Sequence, residues 1–368
     1  MKIICKKSDL TESVNISLRA VSPKTTMPIL ECILINVGNG KITFTTNDME
    51  LGIETVVKGE IIEDGVIALN AKIFSDIVRK LPDNDVTIET DANLMAKITC
   101  EKARFNISGM TGEEFPALPK FEQNNGVTMS QFTLRELIRQ TIFSISDNEN
   151  NKLMTGELFE INGSEMRVVS LDGHRISLRK IKLGAEYGHI KVVVPGKTLS
   201  EVSKILSGDM EDKVNIFFTD KHVMYVLENT VILSRLIEGE YYKIDQMFSA
   251  DFETKVRINK RELFSCLDRA TLLIKENEKK PVIVNVGEDK MEMKMNTSIG
   301  TLNEEIGITR EGKDILIGFN PRFLIEALRV IDDEEIDIYL VNPKSPCFIK
   351  NREESYIYLI LPVNFNQA

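Results

Sequence analysis

The stretches KIFSDIVRKL (72–81), KTLSEVSKIL (197–206) and RFLIEALRVI (322–331) share one ten-residue pattern. It reads basic, any, apolar, any, acidic, any, any, basic, any, apolar, and its three copies begin 125 residues apart. The chain of 368 residues is close to three such periods. Because self-similarity at a fixed period is typical of repeated structural units, the sequence predicts three copies of one module.

Each repeated stretch has the period of an amphipathic helix. In the first copy the apolar residues recur at i, i+3, i+4 and i+7, which predicts one buried stripe, namely Phe74, Ile77, Val78 and Leu81. The charged residues fall on the opposite side, namely Lys72, Asp76 and Arg79. In a single helix such charges form ion pairs worth roughly 0.2–0.5 kcal/mol each. Their threefold recurrence favours a shared role for this solvated face.

The three thirds of the chain also share an order of elements. An amphipathic helix comes first, strand-like runs follow, the repeated helix comes next, and further strand-like runs end the module. We expect two helices and roughly eight short strands per module. The six predicted helices are 10–24, 71–81, 134–145, 196–206, 259–274 and 321–331. Polar linkers at 121–126 and 249–254 separate three predicted domains, 1–122, 127–248 and 253–368.

Charge is unevenly distributed along the chain. The net charge of −10 argues at first against a nucleic-acid ligand. The six predicted helices, however, hold 14 basic and 7 acidic residues, a net charge of +7, which leaves −17 for the rest. Helices that face one way would form a weakly basic surface able to attract a phosphate backbone without holding it tightly. No base-reading or base-stacking motif stands out, so we expect sequence-independent binding.

The sequence lacks the patterns that several classes of functional site require. The five cysteines have no C-x-x-C spacing, which favours buried thiols in a reducing cytoplasm. The three histidines show no metal-ligand spacing, and no phosphate-binding glycine loop occurs, so we expect neither metal nor cofactor. No apolar run is long enough for a membrane helix, and the first ten residues do not resemble a signal peptide.

A hydrolytic site is the main enzymatic alternative. Ser170, Asp172 and His174 alternate along a predicted strand and its turn. A catalytic triad needs side chains that meet in space beside an oxyanion hole, and no G-x-S-x-G element is present. The sequence therefore predicts a protein without catalytic residues.

Seven short motifs, together with the triple repeat, carry a family resemblance. They are MPIL (27–30), EEFPAL (113–118), TGELFE (155–160), LDGHR (171–175), VVVP (192–195), IGFNP (317–321) and LILPV (359–363). With them, essentially the whole chain resembles the bacterial sliding clamps, the β subunits of the replicative DNA polymerase.

The resemblance implies an α+β fold of three repeated clamp modules, with two helices inside and antiparallel sheets outside. Two chains would associate head to tail, so that six modules close a ring around duplex DNA. Such a clamp performs no chemistry and tethers a polymerase to its template, which raises the local concentration of the polymerase there. The implied partners are double-stranded DNA, a second copy of the chain, the polymerase catalytic subunit, the clamp loader and other proteins with clamp-binding motifs, without a membrane.

The resemblance also implies three sets of site residues. A groove for partner peptides would use Met154, Leu171, Gly173, His174, Arg175, Ile176, Tyr242, Gln246, Met247, Pro346, Leu359, Leu361, Pro362 and Val363. The subunit contact would use Phe105 and Ile107 on one side, and Leu272 and Leu273 on the other. DNA would be contacted by Lys24, Arg79, Asn148, Lys152 and Lys197.

Some groove positions depart from the family pattern. Leu171, Tyr242, Gln246 and Asn364 stand where the family commonly has threonine, proline, arginine and arginine. These departures leave the preferred peptide motif open, and with it the choice between a main replicative clamp and a specialised variant. A scaffold that keeps the groove and lacks a DNA-binding surface is the remaining alternative, and the charge of the helices argues against it.

Overall fold

A computed structural model describes residues 1–22, 25–119, 126–248, 251–275 and 280–365. The helices are α1 (Lys7–Ser17), α2 (Ala71–Lys80), α3 (Gln131–Arg139), α4 (Gly196–Ile205), α5 (Lys260–Thr271) and α6 (Pro321–Val330). No helix within these ranges is long and apolar enough to cross a membrane.

The strands pair antiparallel. They are β1 (Lys2–Lys6), β2 (Cys32–Gly38), β3 (Lys41–Asn47), β4 (Leu51–Val57), β5 (Glu60–Glu63), β6 (Gly65–Asn70), β7 (Asp85–Thr90), β8 (Met95–Cys100), β9 (Ala103–Ser108), β10 (Val127–Ser130), β11 (Gly156–Leu171), β12 (Arg175–Pro195), β13 (Lys213–Phe218), β14 (His222–Val226), β15 (Thr230–Arg235), β16 (Thr254–Asn259), β17 (Val282–Val286), β18 (Lys290–Asn296), β19 (Thr301–Gly312), β20 (Ile315–Phe319), β21 (Glu335–Leu340), β22 (Cys347–Lys350) and β23 (Tyr356–Ile360). The α+β fold class predicted from the sequence is confirmed.

The chain forms two compact units. Unit 1 consists of residues 1–132 and 201–236, and unit 2 of residues 133–200 and 237–368. Unit 1 contains a five-stranded sheet, β5-β1-β7-β8-β9, and an eight-stranded sheet, β10-β13-β14-β15-β4-β3-β2-β6. Unit 2 contains a ten-stranded sheet, β11-β12-β23-β22-β21-β16-β19-β18-β17-β20. The three predicted domains, with boundaries at 122 and 253, stay a prediction.

The repeated helices bury the stripe that their sequence predicts. In α2 and the residue after it, Phe74, Ile77, Val78 and Leu81 are buried, and Phe74 packs edge-to-face on Phe44. Seven of the eight corresponding positions in the other copies are also buried, and Ser203 is half-buried. The buried ones are Leu199, Val202, Leu206, Leu324, Ala327, Leu328 and Ile331. Asparagine caps begin two of these helices: the side chain of Asn70 accepts from the Ile73 N–H, and that of Asn320 from the Arg322 N–H, both at 3.1 Å.

Some predicted element boundaries were wrong. Each third begins with a strand, β1, β10 or β16, because a short alternating run precedes the helix. The runs 156–161 and 166–171 form one strand, β11, where two were predicted. Its register with β12 shifts on both sides of Gly163, which has φ +60°, and the extra residues lie on β12. The expected turn is therefore an irregularity within one continuous strand, opposite a bulge in its partner. Among the described residues, the three thirds contain nine, six and eight strands, where about eight each were expected.

The cysteines are buried, as the sequence predicts. All five have free thiols in the structure: Cys5, Cys32, Cys100, Cys266 and Cys347. Burial raises the pKa of the Cys5, Cys266 and Cys347 thiols to about 12. Such thiols pack as small apolar side chains and are poor nucleophiles at neutral pH.

Candidate functional site

The D-G-H-R element forms the tight turn between β11 and β12 in unit 2. One carboxylate oxygen of Asp172 accepts from the backbone N–H groups of His174 (2.9 Å) and Arg175 (3.1 Å). Gly173 has φ +89°, a conformation that a residue with a Cβ rarely adopts. The aspartate and the glycine together fix the path of this turn.

The side chain of Arg175 anchors the turn to its surroundings. It is 9% exposed, and it donates to Asp172 Oδ2 at 2.9 Å, to the Phe143 carbonyl at 2.6 Å and to the Glu326 carboxylate on α6. Its guanidinium also lies 4.4 Å from the centre of the Phe323 ring, and the His174 ring stacks on the same phenylalanine. The turn is thus held against α6 by charge and by ring contacts.

The C-terminal segment is attached to the same turn. The Leu361 N–H donates to the His174 carbonyl at 2.8 Å, and the Val363 N–H donates to the Gly318 carbonyl at 2.8 Å. Any Cβ on Gly318 would come within 2.6 Å of the Phe365 ring, so the segment approaches β20 closely. Residues 361–365 therefore have a defined path, although Leu361 and Val363 are each 37% exposed.

An apolar cluster in unit 2 contains several of the predicted groove residues. Of the predicted groove residues, Leu171, Ile176 and Leu359 are buried in it, and Met154 and Tyr242 pack against it half-buried. The Tyr242 hydroxyl accepts from the Asn151 side-chain amide at 2.6 Å, a polar contact that proline could not make. The other predicted groove residues include Gln246 and Met247, which are exposed in a 3₁₀ turn. Pro346, before β22, and Pro362, after β23, are half-buried.

The arrangement suits the binding of a short extended peptide. Half-buried apolar side chains above a packed cluster can receive apolar residues of a ligand, and flexible methionines such as Met154 and Met247 adapt to different ones. The sequence missed three residues that shape this site: Phe143, Phe323 and Glu326. Phe323 and Glu326 stand in the repeated helix, where the sequence pattern indicated only a solvated face.

The predicted subunit-contact residues are exposed apolar groups in separate units. Phe105 is exposed and Ile107 half-buried on β9, the edge strand of the five-stranded sheet in unit 1. In unit 2, Leu272 follows α5 and is 78% exposed, while the neighbouring Leu273 packs partly on the core. Phe105 and Leu272 are therefore accessible to a partner chain.

The predicted DNA contacts are spread over both units. Arg79 is exposed on α2 in unit 1, and Lys197 is exposed in the first turn of α4. Asn148 and Lys152 are exposed in the segment before β11. Lys24 lies outside the described residues.

The hydrolase alternative does not fit the geometry. Ser170 is buried and donates to the Thr141 carbonyl at 2.5 Å. Asp172 holds its own turn and Arg175, while the His174 ring stacks on Phe323. The three side chains therefore serve the turn and the core.

The whole chain is similar to DNA polymerase III beta subunits. Models of the N-terminal, central and C-terminal domains of that subunit match residues 1–119, 128–243 and 245–364. Proteins named beta sliding clamp from Staphylococcus epidermidis and Staphylococcus aureus are 31% and 32% identical, with 99% of each chain covered.

Solved structures give the same result. A crystal structure described as a DNA polymerase III beta subunit from Eubacterium rectale is 61% identical, with a TM-score of 0.96 over 99% of this chain and 100% of the other. The DNA polymerase sliding clamp from Bacillus subtilis is 34% identical, with a TM-score of 0.95 over all of both chains.

Proposed function

The chain belongs to the DNA polymerase III beta subunit family, the bacterial sliding clamps, and we propose that it acts as a dimeric ring around duplex DNA. A sliding clamp is a non-catalytic processivity factor that keeps a polymerase on its template. The match over the whole chain, in all three domain models, carries this conclusion. Three clamp domains, 1–122, 127–248 and 253–368, in the cytoplasm, are part of the proposal.

Two open strand edges support a head-to-tail subunit contact. The outer edge of β9 has no partner strand among the described residues. On β19, residues 301–307 pair with β18 and with no other strand of the described ranges, because the ladder with β16 begins at Ile308. Open edges readily accept a strand from another chain. Phe105 lies on the first edge strand, β9. Leu273 lies close to the second, because a Cβ on Gly300, the residue before β19, would be 3.6 Å from the Leu273 side chain.

Placing a charge in this contact should dissociate the dimer. We expect Leu272→Asp to give a monomer of about 42 kDa by light scattering at micromolar concentration, since burying an unpaired carboxylate is strongly unfavourable. The matched control is Ile62→Asp, which places the same charge at another exposed apolar residue. Ile62 lies on β5, outside the proposed contact, so this variant should remain a dimer. A Leu272→Asp dimer of unchanged stability would contradict the proposed contact.

Topological binding separates a clamp from a peptide-binding scaffold. We expect the chain, once loaded on nicked circular DNA, to stay bound until the circle is linearised and then to slide off. Gel filtration before and after cleavage by a restriction enzyme measures this. Equal retention on both forms, or no retention on the circle, would exclude a ring.

The apolar site in unit 2 is the proposed groove for partner peptides. Its partners would be the polymerase catalytic subunit, the clamp loader and other proteins with clamp-binding motifs. The exposed Leu361 and Val363, the half-buried Met154 and Tyr242 and the fixed His174 turn support this assignment. The hydrogen bond between Tyr242 and Asn151 gives the groove a polar wall. This wall favours peptide motifs that differ from those bound by clamps with proline at this position.

A further inference from the structure

The acidic position of the ten-residue repeat has a different partner in its third copy. In the first copy Asp76 lies 4.0 Å from Arg79, and in the second Glu201 lies 2.7 Å from Lys204, so both pair with the basic residue three positions later. Glu201 also lies 3.4 Å from the exposed Arg19, but it keeps its partner within the helix. In the third copy the carboxylate of Glu326 bonds to Arg175, which is 151 residues away in sequence. Arg329 instead lies with its guanidinium 5.8 Å from the centre of the Phe264 ring.

Arg175 is nearly buried, and this makes its partners important. A guanidinium cannot lose its charge in a protein, so a buried one must keep its hydrogen bonds. Asp172 and the Phe143 carbonyl accept some of the guanidinium N–H groups, and Glu326 on α6 supplies a second carboxylate acceptor. Removal of the Glu326 charge would leave the Nη1 group of the guanidinium without its anionic partner.

The consequence reaches the groove through the backbone. Arg175 and His174 are adjacent in the turn, and the His174 carbonyl receives the Leu361 N–H. The next residue, Ile176, pairs with Leu359 in the β12–β23 ladder, and both belong to the buried cluster under the groove. A shift of Arg175 would therefore move the His174 carbonyl and the exposed Leu361 together.

We propose that Glu326 is a positioning residue of the peptide groove, acting through Arg175 on the His174 turn. The inference rests on the proposed function of the groove and adds to it a residue of the repeated helix. It also explains why the repeat departs from its own pattern here: the carboxylate that would neutralise Arg329 is used to hold the turn.

Peptide affinity is the first measurement. The probe is a fluorescein-labelled peptide with the clamp-binding segment of the polymerase from the same bacterium, titrated with the dimer and followed by anisotropy. We expect Glu326→Gln to weaken binding about tenfold, as for the loss of one charge-assisted hydrogen bond, and Glu326→Asp to weaken it less. The matched control is Asp76→Asn, which removes the same charge at the equivalent position of α2 and should change nothing.

The histidine resonances report whether the turn has moved. The chain has three histidines, and His174 stacks on Phe323, so its ring signal is shifted by the ring current. In protein labelled with ¹³C at histidine Cε1, Glu326→Gln should move the His174 signal and leave those of His189 and His222 in place. A purely global loss of stability would move no single signal, and Glu326→Asp should return the His174 signal toward its original position.

Two outcomes would overturn the inference. One is wild-type affinity and an unmoved His174 signal in Glu326→Gln, and the other is an equal loss of affinity in Asp76→Asn. Met154→Ala, inside the groove, separates this failure from that of the proposed function. If Met154→Ala weakens binding and Glu326→Gln does not, the groove is correct and the positioning role is wrong; if neither does, the groove itself is misplaced.

Discussion

Replacement of Glu157 with methionine should stabilise unit 2, and the gain should increase as the pH rises from 5 to 9. Glu157 lies on β11 with no exposed surface, and burial raises the pKa of its carboxyl group to about 8. Neither carboxyl oxygen has a hydrogen-bond partner among the described residues. The nearby Thr141 hydroxyl lowers this pKa, but it donates its proton to the Leu137 carbonyl at 2.7 Å and so leaves the Glu157 oxygens without a partner among the described residues.

The direction of the pH effect follows from the raised pKa. Between the ordinary value of 4.5 and about 8, the folded chain keeps a proton that the unfolded chain has released. Stability therefore falls as the pH rises through this window and levels off above it. The full difference corresponds to roughly 5 kcal/mol as an upper bound. Methionine has a similar length and no charge, so it removes the pH-dependent penalty and fills the same space.

Thermal unfolding followed at pH 5, 7 and 9 measures this effect. We expect a small gain at pH 5 and a gain of about 5–10 °C in the unit 2 transition at pH 9. Glu165→Met is the matched control, since Glu165 is exposed on the same strand and should show no such pH dependence. A lower melting temperature of Glu157→Met at pH 9 would mean that the ionised carboxylate is stabilised in the fold.

The helices could be predicted from the sequence because each contains its own signal. The buried stripe of α2 is local, and the side chain of Asn70 caps the same helix. The strand β11 was harder to predict, because Asn162-Gly163 has the residues of a hairpin turn and instead continues one strand opposite a bulge in β12. The long partner strand β12 decides between these alternatives, and its pairing is not visible in the local pattern.

The candidate site also contains some residues whose roles could be predicted locally and others whose roles could not. Asp172 and Gly173 are turn residues whose role can be read locally. The pairing of Glu326 with Arg175 spans 151 residues, and the helical spacing suggested Arg329 as the partner. The repeat therefore predicted where Glu326 stands on its helix, while its partner depends on how α6 packs beside the β11–β12 turn.

Deletion of Leu361–Ala368 should abolish binding of the polymerase peptide and leave the dimer intact. The deletion removes two exposed apolar side chains, Leu361 and Val363, together with the backbone bond to His174. Losing the central apolar anchors of a contact commonly costs at least about 2 kcal/mol, so we expect affinity to fall at least about thirtyfold. The proposed subunit contact uses other elements, β9 and the residues after α5, so light scattering should still give a dimer.

A shorter truncation provides the control for this deletion. Removing only residues 366–368 keeps the Val363 bond to Gly318 and the Phe365 ring beside it, and should leave peptide affinity unchanged. Circular dichroism establishes that both truncated chains are folded. Unchanged affinity after the longer deletion would place the groove elsewhere, and an equal loss after the shorter one would assign binding to the last three residues. Because residues 361–365 both contact the turn and expose apolar surface, we expect the difference between the two truncations to account for nearly all of the lost binding.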